Sequence, residues 1–353
     1  MMGIQGGGVC SRSAAGLLLG VDGGGTRTDC LVTTAEGVVI GRGSAGPSNI
    51  QAMGIGPALE EIRKAVYEAM REAVSSAGAP CRSVRVASAC FGLAGVGRES
   101  DRDLMKTRLG YVLAEVNPLN APPVSLIVAS DGVIALAGAN AGEPGVVVIA
   151  GTGSLAYGMS PDGREARAGG WGYILGDEVS AYHIGLKGLR EALRAADGRR
   201  MHTSLVEDLP AALGVKSIEE IIPIVYSSMA RAEIAALAPV VGQAATGGDE
   251  VASNVILGAG RELGLMAAAV IRRLGMDEYA GCVSAVGGVL ESNEMVLWAM
   301  RDRVEELVPG WSVARGKYPP VAGAILIAAR TANGASIDKV IHNIGSGLQE
   351  VPS

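Results

Sequence analysis

The chain has 353 residues, 48% of them hydrophobic, and carries a formal net charge of −6 at pH 7. This length exceeds what one hydrophobic core usually supports, so we expect two domains. An acidic chain lacks the basic surface that nucleic acids and membrane surfaces require, which argues against both as partners. Apolar runs are shorter than a membrane span and no signal-like segment opens the chain, so we expect a cytoplasmic protein.

The five cysteines are scattered and never form a Cys-x-x-Cys pair. An odd, dispersed set argues against a disulfide framework, a zinc site and an iron–sulfur cluster. We interpret them as buried free thiols: Cys10, Cys30, Cys81, Cys90 and Cys282.

Structure is predicted to begin at Leu17, because residues 1–15 have no periodic apolar pattern and indicate a disordered leader. The segment LLLGVDGGGTRTDCLVTT, residues 17–34, predicts two strands joined by three consecutive glycines. Glycines are costly in a strand unless the backbone needs torsions or clearance that a Cβ would forbid. Rossmann and Walker A loops do not fit, because both run from a strand into a helix. Hydroxyls and charge at Thr26, Arg27 and Thr28 suit a polyphosphate, so a phosphate loop and a structural turn both remain open.

The following elements predict that a parallel sheet extends this hairpin. A turn at Glu36-Gly37 leads into a third strand, and residues 56–78 have apolar residues at helical spacing. Apolar stretches at 84–95 and 124–132 predict two buried strands, with a helix from about Arg102 to Glu115 between them.

The opening pattern then repeats. Residues 145–170 again give an apolar strand, a Gly/Thr turn, a strand, an acidic-Gly turn at Asp162-Gly163 and a third strand. Aligning Asp22-Gly23 with Ala150-Gly151 brings the two hairpins into register. The repeat predicts a duplicated domain, in which two glycine-rich hairpins could hold one ligand from both sides.

Several motifs in a fixed order carry a family resemblance between about Leu17 and Ala329. They are VDGGGTRTDCLV, VASDG, VIAGTGSLAYG, GGWGYILGDEVSAYHIG, IAALAPVVGQAATGGD, VSAVGGV and YPPVAGAILIAA. This order resembles the N-acetylglucosamine kinase-like branch of the BadF/BadG/BcrA/BcrD ATPase family, within the sugar kinase, actin and heat-shock chaperone superfamily.

The resemblance implies an α/β fold with duplicated ribonuclease H-like, actin-like ATPase domains around a central ATP/sugar cleft. The implied boundaries are 16–140 for the N-terminal domain and 141–324 for the C-terminal domain, with about 325–353 completing the first. A homodimer is also implied.

The same resemblance assigns the ATP-binding residues. Asp22 would position hydrated Mg²⁺, which keeps most of its waters, although it could instead accept from turn N–H groups. The two phosphate loops and the adenosine contacts would be Gly24, Gly25, Thr26 and Arg27; Gly151, Thr152, Gly153 and Ser154; and Gly287, Gly288 and, more weakly, Ala235.

Asp131 is the predicted catalytic residue and also a sugar contact. It ends an apolar strand and precedes a helix, so its carboxylate should emerge at the carboxyl edge of the sheet, where open α/β folds bind ligands. Phosphoryl transfer to a hydroxyl needs a group that accepts the proton. A bare Asp in this position is more often a helix N-cap, and the family match favours the base.

The other residues matching sugar contacts of the family are Asn49, Thr152, Gly153, Gly170, Trp171, Gly172 and Asp177. Core packing is the alternative for Trp171, and capping of a helix that starts near Val179 is the alternative for Asp177. Glu178 would help to hold that loop, and we interpret His183 as structural.

The predicted function is ATP-dependent phosphorylation of N-acetylglucosamine to its 6-phosphate, with glucosamine and glucose as alternative acceptors. An activator-type ATPase of an acyl-CoA dehydratase or reductase is a further alternative, but it needs cysteine ligands near the second phosphate motif. The nearest cysteines in sequence to Gly151 are Cys90 and Cys282. A catalytically silent sugar sensor is disfavoured, because Asp131 and both phosphate loops are present.

Overall fold

The computed structural model describes residues 16–77, 85–117, 124–227, 229–332 and 336–349. The predicted leader, residues 1–15, lies outside them. Contacts divide the chain into two compact units, the first comprising residues up to Ile134 together with those from Pro320 onward, and the second comprising Ala135–Pro319.

The described elements alternate between strands and helices. In chain order they are β1 Leu17–Gly23, β2 Thr28–Thr33, β3 Val39–Ala45, α1 Ile50–Met53, α2 Ile55–Ala77, β4 Val86–Leu93, α3 Glu99–Val116, β5 Ser125–Ser130, α4 Asp131–Ala139, β6 Gly145–Ala150, β7 Ser154–Met159, β8 Glu165–Gly169, α5 Ala181–Ala196, α6 Leu205–Ala212, a 3₁₀ turn Ile218–Glu220, α7 Ile221–Ser227, α8 Arg231–Ala235, α9 Ala238–Thr246, α10 Glu250–Arg273, β9 Gly281–Val286, α11 Gly288–Ser292, α12 Glu294–Leu307, β10 Trp311–Arg315, α13 Pro320–Thr331 and α14 Ile337–Gln349.

The first unit is built on a five-stranded sheet in the order β3-β2-β1-β4-β5. The predicted hairpin is present, since β1 pairs antiparallel with β2, and β2 with β3, while β1, β4 and β5 are parallel. Helix α3 begins at Glu99, earlier than predicted, because Glu99 and Asp101 supply negative charge to its first turn.

Two helices of the first unit lie close to this sheet. A Cβ on Gly43 of β3 would stand 2.0 Å from the Ala65 carbonyl oxygen of α2, so only glycine fits there. Helix α13 returns from the end of the chain and packs on β1, where a Cβ on Gly20 would lie 2.9 Å from Ile325. The first unit is therefore completed by residues distant in sequence.

The second unit repeats the same strand order, read as β8-β7-β6-β9-β10. Its β6 pairs antiparallel with β7, and β7 with β8, while β6, β9 and β10 are parallel. These sheets, each carrying helices, confirm the predicted α/β class and the predicted duplication. In both units the glycine-rich hairpin lies at the carboxyl end of the first strand.

Helix α10 is the central helix of the second core. By length and composition this helix could cross a membrane, contrary to the expectation that no apolar run is long enough. However, 61% of its apolar 18-residue stretch is buried within the protein. A mostly buried core helix passes the same test, and residues such as Leu263 and Ala267 are fully buried. Its apolar character is accounted for by packing.

Candidate active site

The first glycine-rich loop, between β1 and β2, is held by its own backbone and by the segment after β3. The Gly24 N–H donates to the Arg27 carbonyl oxygen at 3.0 Å, and the Ser48 N–H donates to the Gly24 carbonyl oxygen at 3.0 Å. The Thr28 hydroxyl, fully buried, donates to the Gly46 carbonyl oxygen at 2.7 Å. These bonds leave Gly25, Thr26 and Arg27 exposed at the tip of the loop.

The three consecutive glycines of this loop serve different purposes. None of them has a positive φ, so torsion does not require glycine at Gly23, Gly24 or Gly25. A Cβ on Gly23 would stand 2.6 Å from Leu93 and from the Ser48 hydroxyl oxygen, whereas one on Gly24 would stand 3.1 Å from the Arg27 carbonyl oxygen. Gly23 is therefore required by packing inside the unit, which leaves Gly24 and Gly25 as the candidates for close approach to a ligand.

Two carboxylates of the first unit interact at the carboxyl edge of its sheet. Burial raises the pKa of Asp22 to about 7, and the negative charges of Asp131 and Asp29 add to the increase, while Arg27 opposes it. No turn N–H of the described chain donates to the Asp22 carboxylate, so turn capping does not explain this residue. Asp131 begins α4, and its Oδ1 accepts from the Gly132 N–H at 2.9 Å, so it also caps its own helix.

This pair of carboxylates has the donor chemistry of a magnesium site. Magnesium is usually held by one or two carboxylates, with waters and substrate phosphates completing its octahedron. Among the described residues, no group of three or more His, Cys, Asp or Glu side chains could hold a metal ion by itself. The residues therefore fit a metal that arrives with a phosphate ligand.

Asn49 is fixed in the first unit by two neighbours. Its Oδ1 accepts from the Gln51 N–H at 3.0 Å and caps α1, and the Gln51 side-chain amide donates to the Gly95 carbonyl oxygen at 3.1 Å. Gly95 has a φ of +87°, and a Cβ there would stand 2.7 Å from Asn49 Oδ1. Sequence reasoning missed Gly95, although a glycine just beyond a strand signals such a close approach.

The second glycine-rich loop, between β6 and β7, is closed by a 2.9 Å bond from the Gly151 N–H to the Gly153 carbonyl oxygen. Beyond it, the Ser154 N–H donates to Asp177 Oδ1 at 2.9 Å. A Cβ on Gly153 would stand 3.2 Å from that same oxygen, so glycine lets the carboxylate come close. The loop and Asp177, both predicted as site residues, are therefore in direct contact.

Asp177 is buried and strained, two properties that often coincide at functional sites. Its side chain is only 5% exposed and its φ is +59°, which is uncommon outside glycine. Burial raises its pKa, the Ser154 N–H and Arg231 lower it, and Glu178 raises it. Helix capping is the wrong interpretation of Asp177, because α5 begins at Ala181 and the Ser180 hydroxyl accepts from the His183 N–H.

Trp171 lies on an exposed loop, so its interpretation as a core residue is also wrong. Gly170 and Gly172 flank it with φ values of +69° and +82°, which turn the chain sharply on both sides. The indole is 65% exposed, and the Arg167 guanidinium carbon stands 5.0 Å from its ring centroid. A cation held against an exposed indole leaves a broad apolar face for a ligand.

The predicted adenosine residues lie in the second unit, and one of them contacts the strand that leads into the second loop. Gly287 has a φ of +99°, and a Cβ there would stand 2.5 Å from the Ala150 carbonyl oxygen, so it abuts the end of β6. Gly288 begins α11. Ala235 ends α8, whose first residue, Arg231, donates to the Thr152 carbonyl oxygen at 3.2 Å.

The three described cysteines are free thiols, but the prediction that all are buried is wrong for Cys282, which is exposed. Burial raises the pKa of Cys30, and it raises the pKa of Cys90 to about 12, so both thiols are poor metal ligands at neutral pH. Cys282 lies at the start of β9, whereas Gly287, beyond its other end, abuts the second loop.

Comparisons with known proteins agree with the motif order. Residues 19–328 match the BadF/BadG/BcrA/BcrD ATPase family. The chain is 34% identical over 316 residues to the N-acetylmuramic acid/N-acetylglucosamine kinase of Clostridium acetobutylicum, covering 88% of this chain and 97% of that protein. It is 30% identical over 319 residues to the N-acetyl-D-glucosamine kinase of Dictyostelium discoideum, with the same coverage of 88% and 97%.

A solved structure shows the same fold. A candidate N-acetylglucosamine kinase from Chromobacterium violaceum superposes with a TM-score of 0.67 at 28% identity, over 89% of this chain and 99% of that one. The family predicted from the motifs is thereby confirmed, and with it the use of ATP. The chain belongs to the BadF/BadG/BcrA/BcrD ATPase family.

Proposed function

We propose that this protein is an ATP-dependent kinase that phosphorylates the 6-hydroxyl of N-acetylglucosamine. The observation that carries the proposal is the position of Asp131 at the carboxyl end of β5, close enough to Asp22 to raise its pKa. One carboxylate can accept a proton while the other binds a cation, and phosphoryl transfer to a hydroxyl needs both roles. Relatives covered over 97% of their length, whose names specify this sugar, support the choice of substrate.

In the first unit, Asp131 would accept the proton of the sugar hydroxyl as that oxygen bonds to the γ-phosphorus of ATP and the bond from this phosphorus to ADP breaks, so that ADP leaves. Asp22 would hold hydrated Mg²⁺, and the exposed tip of the first loop would bind phosphate through its N–H groups and Arg27. ATP, when bound, supplies the phosphoryl group. Asn49, fixed by Gln51 and Gly95, would orient the sugar through its side-chain amide.

In the second unit, the loop from Gly151 to Ser154 would bind phosphate through its backbone. Asp177 uses Oδ1 to hold this loop, and no described residue donates to its Oδ2, which is therefore suited to accept from a sugar hydroxyl. The exposed Trp171 would cover an apolar face of the sugar. Gly287 and Gly288 would make room for the adenosine.

The activator-type ATPase remains the competing function, and the burial and positions of the described cysteine thiols argue against it. A bridging iron–sulfur cluster needs accessible thiolates, whereas Cys30 and Cys90 are buried in the first unit. The exposed Cys282 lies near Val146 in the sheet register, away from the end of β6 that carries the second loop.

The test is a coupled assay of ADP release with a panel of N-acetylglucosamine, N-acetylmuramic acid, glucosamine and glucose, each with and without Mg²⁺. We expect N-acetylglucosamine to give the highest kcat/KM, and chelation of Mg²⁺ to abolish turnover. Hydrolysis of ATP that is equally fast without any sugar would overturn the proposal and favour the activator-type ATPase.

We also propose a cytoplasmic homodimer without nucleic-acid or membrane partners, on the strength of the resemblance and of the acidic charge. Light scattering of the purified chain measures the assembly directly. A monomer at micromolar concentration would overturn the dimer.

A further inference from the structure

Arg231 is an arginine of the second unit that contacts the backbone of the second loop. Its Nη2 donates to the Thr152 carbonyl oxygen at 3.2 Å, across 79 residues of sequence. Helix α8 fixes its backbone, because the Glu233 carboxylate accepts from the Ala230 N–H at 2.6 Å just before it. A Cβ on Gly185 would stand 2.1 Å from the Ile234 carbonyl oxygen, so α8 lies directly on α5.

The bond from Arg231 to Thr152 determines where the next N–H group points. In a trans peptide, the carbonyl of one residue and the N–H of the next point in opposite directions. With the Thr152 carbonyl turned toward Arg231, the Gly153 N–H points away from it. No residue of the described chain accepts a hydrogen bond from that N–H, so it is a donor available to an anion.

Arg231 is itself held by more than this bond. Its guanidinium carbon stands 5.1 Å from the Tyr173 ring centroid, and Tyr173 meets Tyr182 of α5 edge to face at 5.6 Å. Its Nε is buried, and no described residue accepts from it. A buried N–H without an acceptor is costly, so its presence in Arg231 needs an explanation.

We infer that Arg231 is a positioning residue of the kinase, which orients the Gly153 N–H toward phosphate through the Thr152 carbonyl while Asp177 holds Ser154 on the other side. The positive charge of Arg231 lowers the pKa of Asp177, against the burial that raises it. Arg231 and Asp177 thus grip the loop on both sides of Gly153. This inference rests on the proposed function, because the anion is taken to be the phosphate of ATP.

The test compares Arg231→Met and Arg231→Lys with Arg164→Met as the matched control. Arg164 lies in the same unit at the turn between β7 and β8, where its side chain is 60% exposed. The measurements are kcat, KM for each substrate, the melting temperature, and ATP affinity by calorimetry without sugar.

We expect Arg231→Met to bind ATP about 10- to 100-fold more weakly, the usual effect of losing a charged hydrogen bond, and to raise KM for sugar. Arg231→Lys should restore most of the sugar KM, because either cation lowers the pKa of Asp177. It should restore ATP affinity only in part, because an ammonium lacks the planar fork that bonds Thr152 and stacks on Tyr173. Arg164→Met should match the wild type.

The inference is overturned if Arg231→Met binds ATP and sugar as the control does. It is also overturned if Arg231→Met lowers kcat, ATP affinity, sugar binding and the melting temperature together and Arg231→Lys restores none of them. That pattern indicates a purely structural residue. Should Arg231→Met not fold, the split between ATP and sugar in Arg231→Lys decides. Calorimetry separates this inference from the proposed function. If the wild type phosphorylates no sugar but Arg231→Met still binds ATP more weakly than the wild type, only the proposed kinase function is refuted.

Discussion

The two glycine-rich loops occupy the same place in two copies of one sheet, yet they are held by different forces. The first is closed and anchored mainly by backbone groups, from Gly24 to Arg27 and from Ser48 to Gly24. The second has a backbone closure of its own, from Gly151 to Gly153, but it is also held by a buried carboxylate, Asp177, and by a guanidinium, Arg231. The second loop therefore depends on charged side chains from distant segments in addition to its own backbone.

The difference shows how duplication can separate stability from chemistry. In the first unit, none of the described hydrogen bonds that close the loop involves the Asp22 carboxylate, whose pKa is raised by burial and by the charge of Asp131. In the second unit the acidic group nearest the loop, Asp177, is part of its support. Substitutions of acidic residues should therefore affect catalysis in the first unit and structure in the second.

The largest effect is expected from Asp131→Asn in the first unit. Asparagine keeps a side-chain oxygen for the Gly132 N–H, so folding and binding should be preserved. Loss of the proton acceptor should lower kcat by about 10² to 10⁴. Steady-state kinetics and a thermal melt of the purified variant measure both effects, and turnover near that of the wild type would remove Asp131 from the mechanism.

The next comparison sets Asp177→Ala against Asp29→Ala. Loss of the Asp177 carboxylate leaves the Ser154 N–H buried without an acceptor, which typically costs about 1 to 3 kcal/mol. Asp29 pairs with Arg27, whose side chain is 75% exposed, and accepts an exposed hydrogen bond from the Ser44 hydroxyl at 2.9 Å. Surface pairs of this kind are worth about 1 kcal/mol or less, so the loss should be the smaller one. Urea denaturation of both variants measures the two losses. Equal losses would contradict the distinction between the loops.

Alanine at equivalent glycines provides a third contrast. Gly23→Ala places a Cβ 2.6 Å from Leu93, and overpacking of this kind costs about 1 to 3 kcal/mol. At Gly151 no atom lies within 4 Å of the new Cβ, so Gly151→Ala should fold as the wild type does. If the second loop approaches phosphate, Gly151→Ala should still weaken ATP binding in calorimetry. Unchanged affinity would argue against that approach.

The last contrast concerns pH. The pKa of Asp22 rises from 3.8 to about 7 in the folded chain. The contribution of the protonated carboxyl to the free energy of unfolding is therefore fully present below about pH 4 and is lost as the pH rises toward 7. Asp22→Asn removes that loss. In melts without divalent cations, its melting temperature relative to the wild type should increase between pH 4 and 8.

Asp249 in the second unit is the control with the opposite sign. Burial opposes its ionisation, but hydrogen bonds from the Ala252 N–H, the Thr203 hydroxyl and the Ser204 N–H lower its pKa. Its stabilisation is therefore present above the unfolded value of 3.8 and is lost as pH falls through the folded pKa. Asp249→Asn should lose stability at pH 7 and approach the wild type in acid. Parallel curves for the two variants would refute both assignments.

Local sequence patterns predicted the frame of this protein well. Both hairpins, the long helix α2 and the strand-end position of Asp131 follow from periodicity and turn residues within short windows. Such windows suffice because β1 and β2 pair across a short turn, as do β6 and β7. The repeated strand order was also predictable, because the same succession of strands and turns occurs twice along the chain.

The contacts that complete the candidate site were not predictable in this way. Arg231 reaches Thr152 across 79 residues, and Gly95 packs on Asn49 from another loop, so no window contains both partners. The left-handed backbone of Asp177 is likewise not predicted by helix-cap patterns, and only the alternative that its carboxylate caps the next helix is wrong. Tertiary packing determines these three features.

The return of helix α13 to the first unit has a consequence for synthesis on the ribosome. In one apolar cluster, Ala324 and Ala328 of this helix pack with Cys90 and Ala129 of the first sheet and with Ile134 of α4. Until Pro320 has been translated, the part of this face that α13 covers stays exposed, and the whole second unit is made in between. At typical elongation rates this interval lasts on the order of ten seconds or more. A nascent chain stalled before residue 320 is therefore a natural client for chaperones that bind exposed apolar strands.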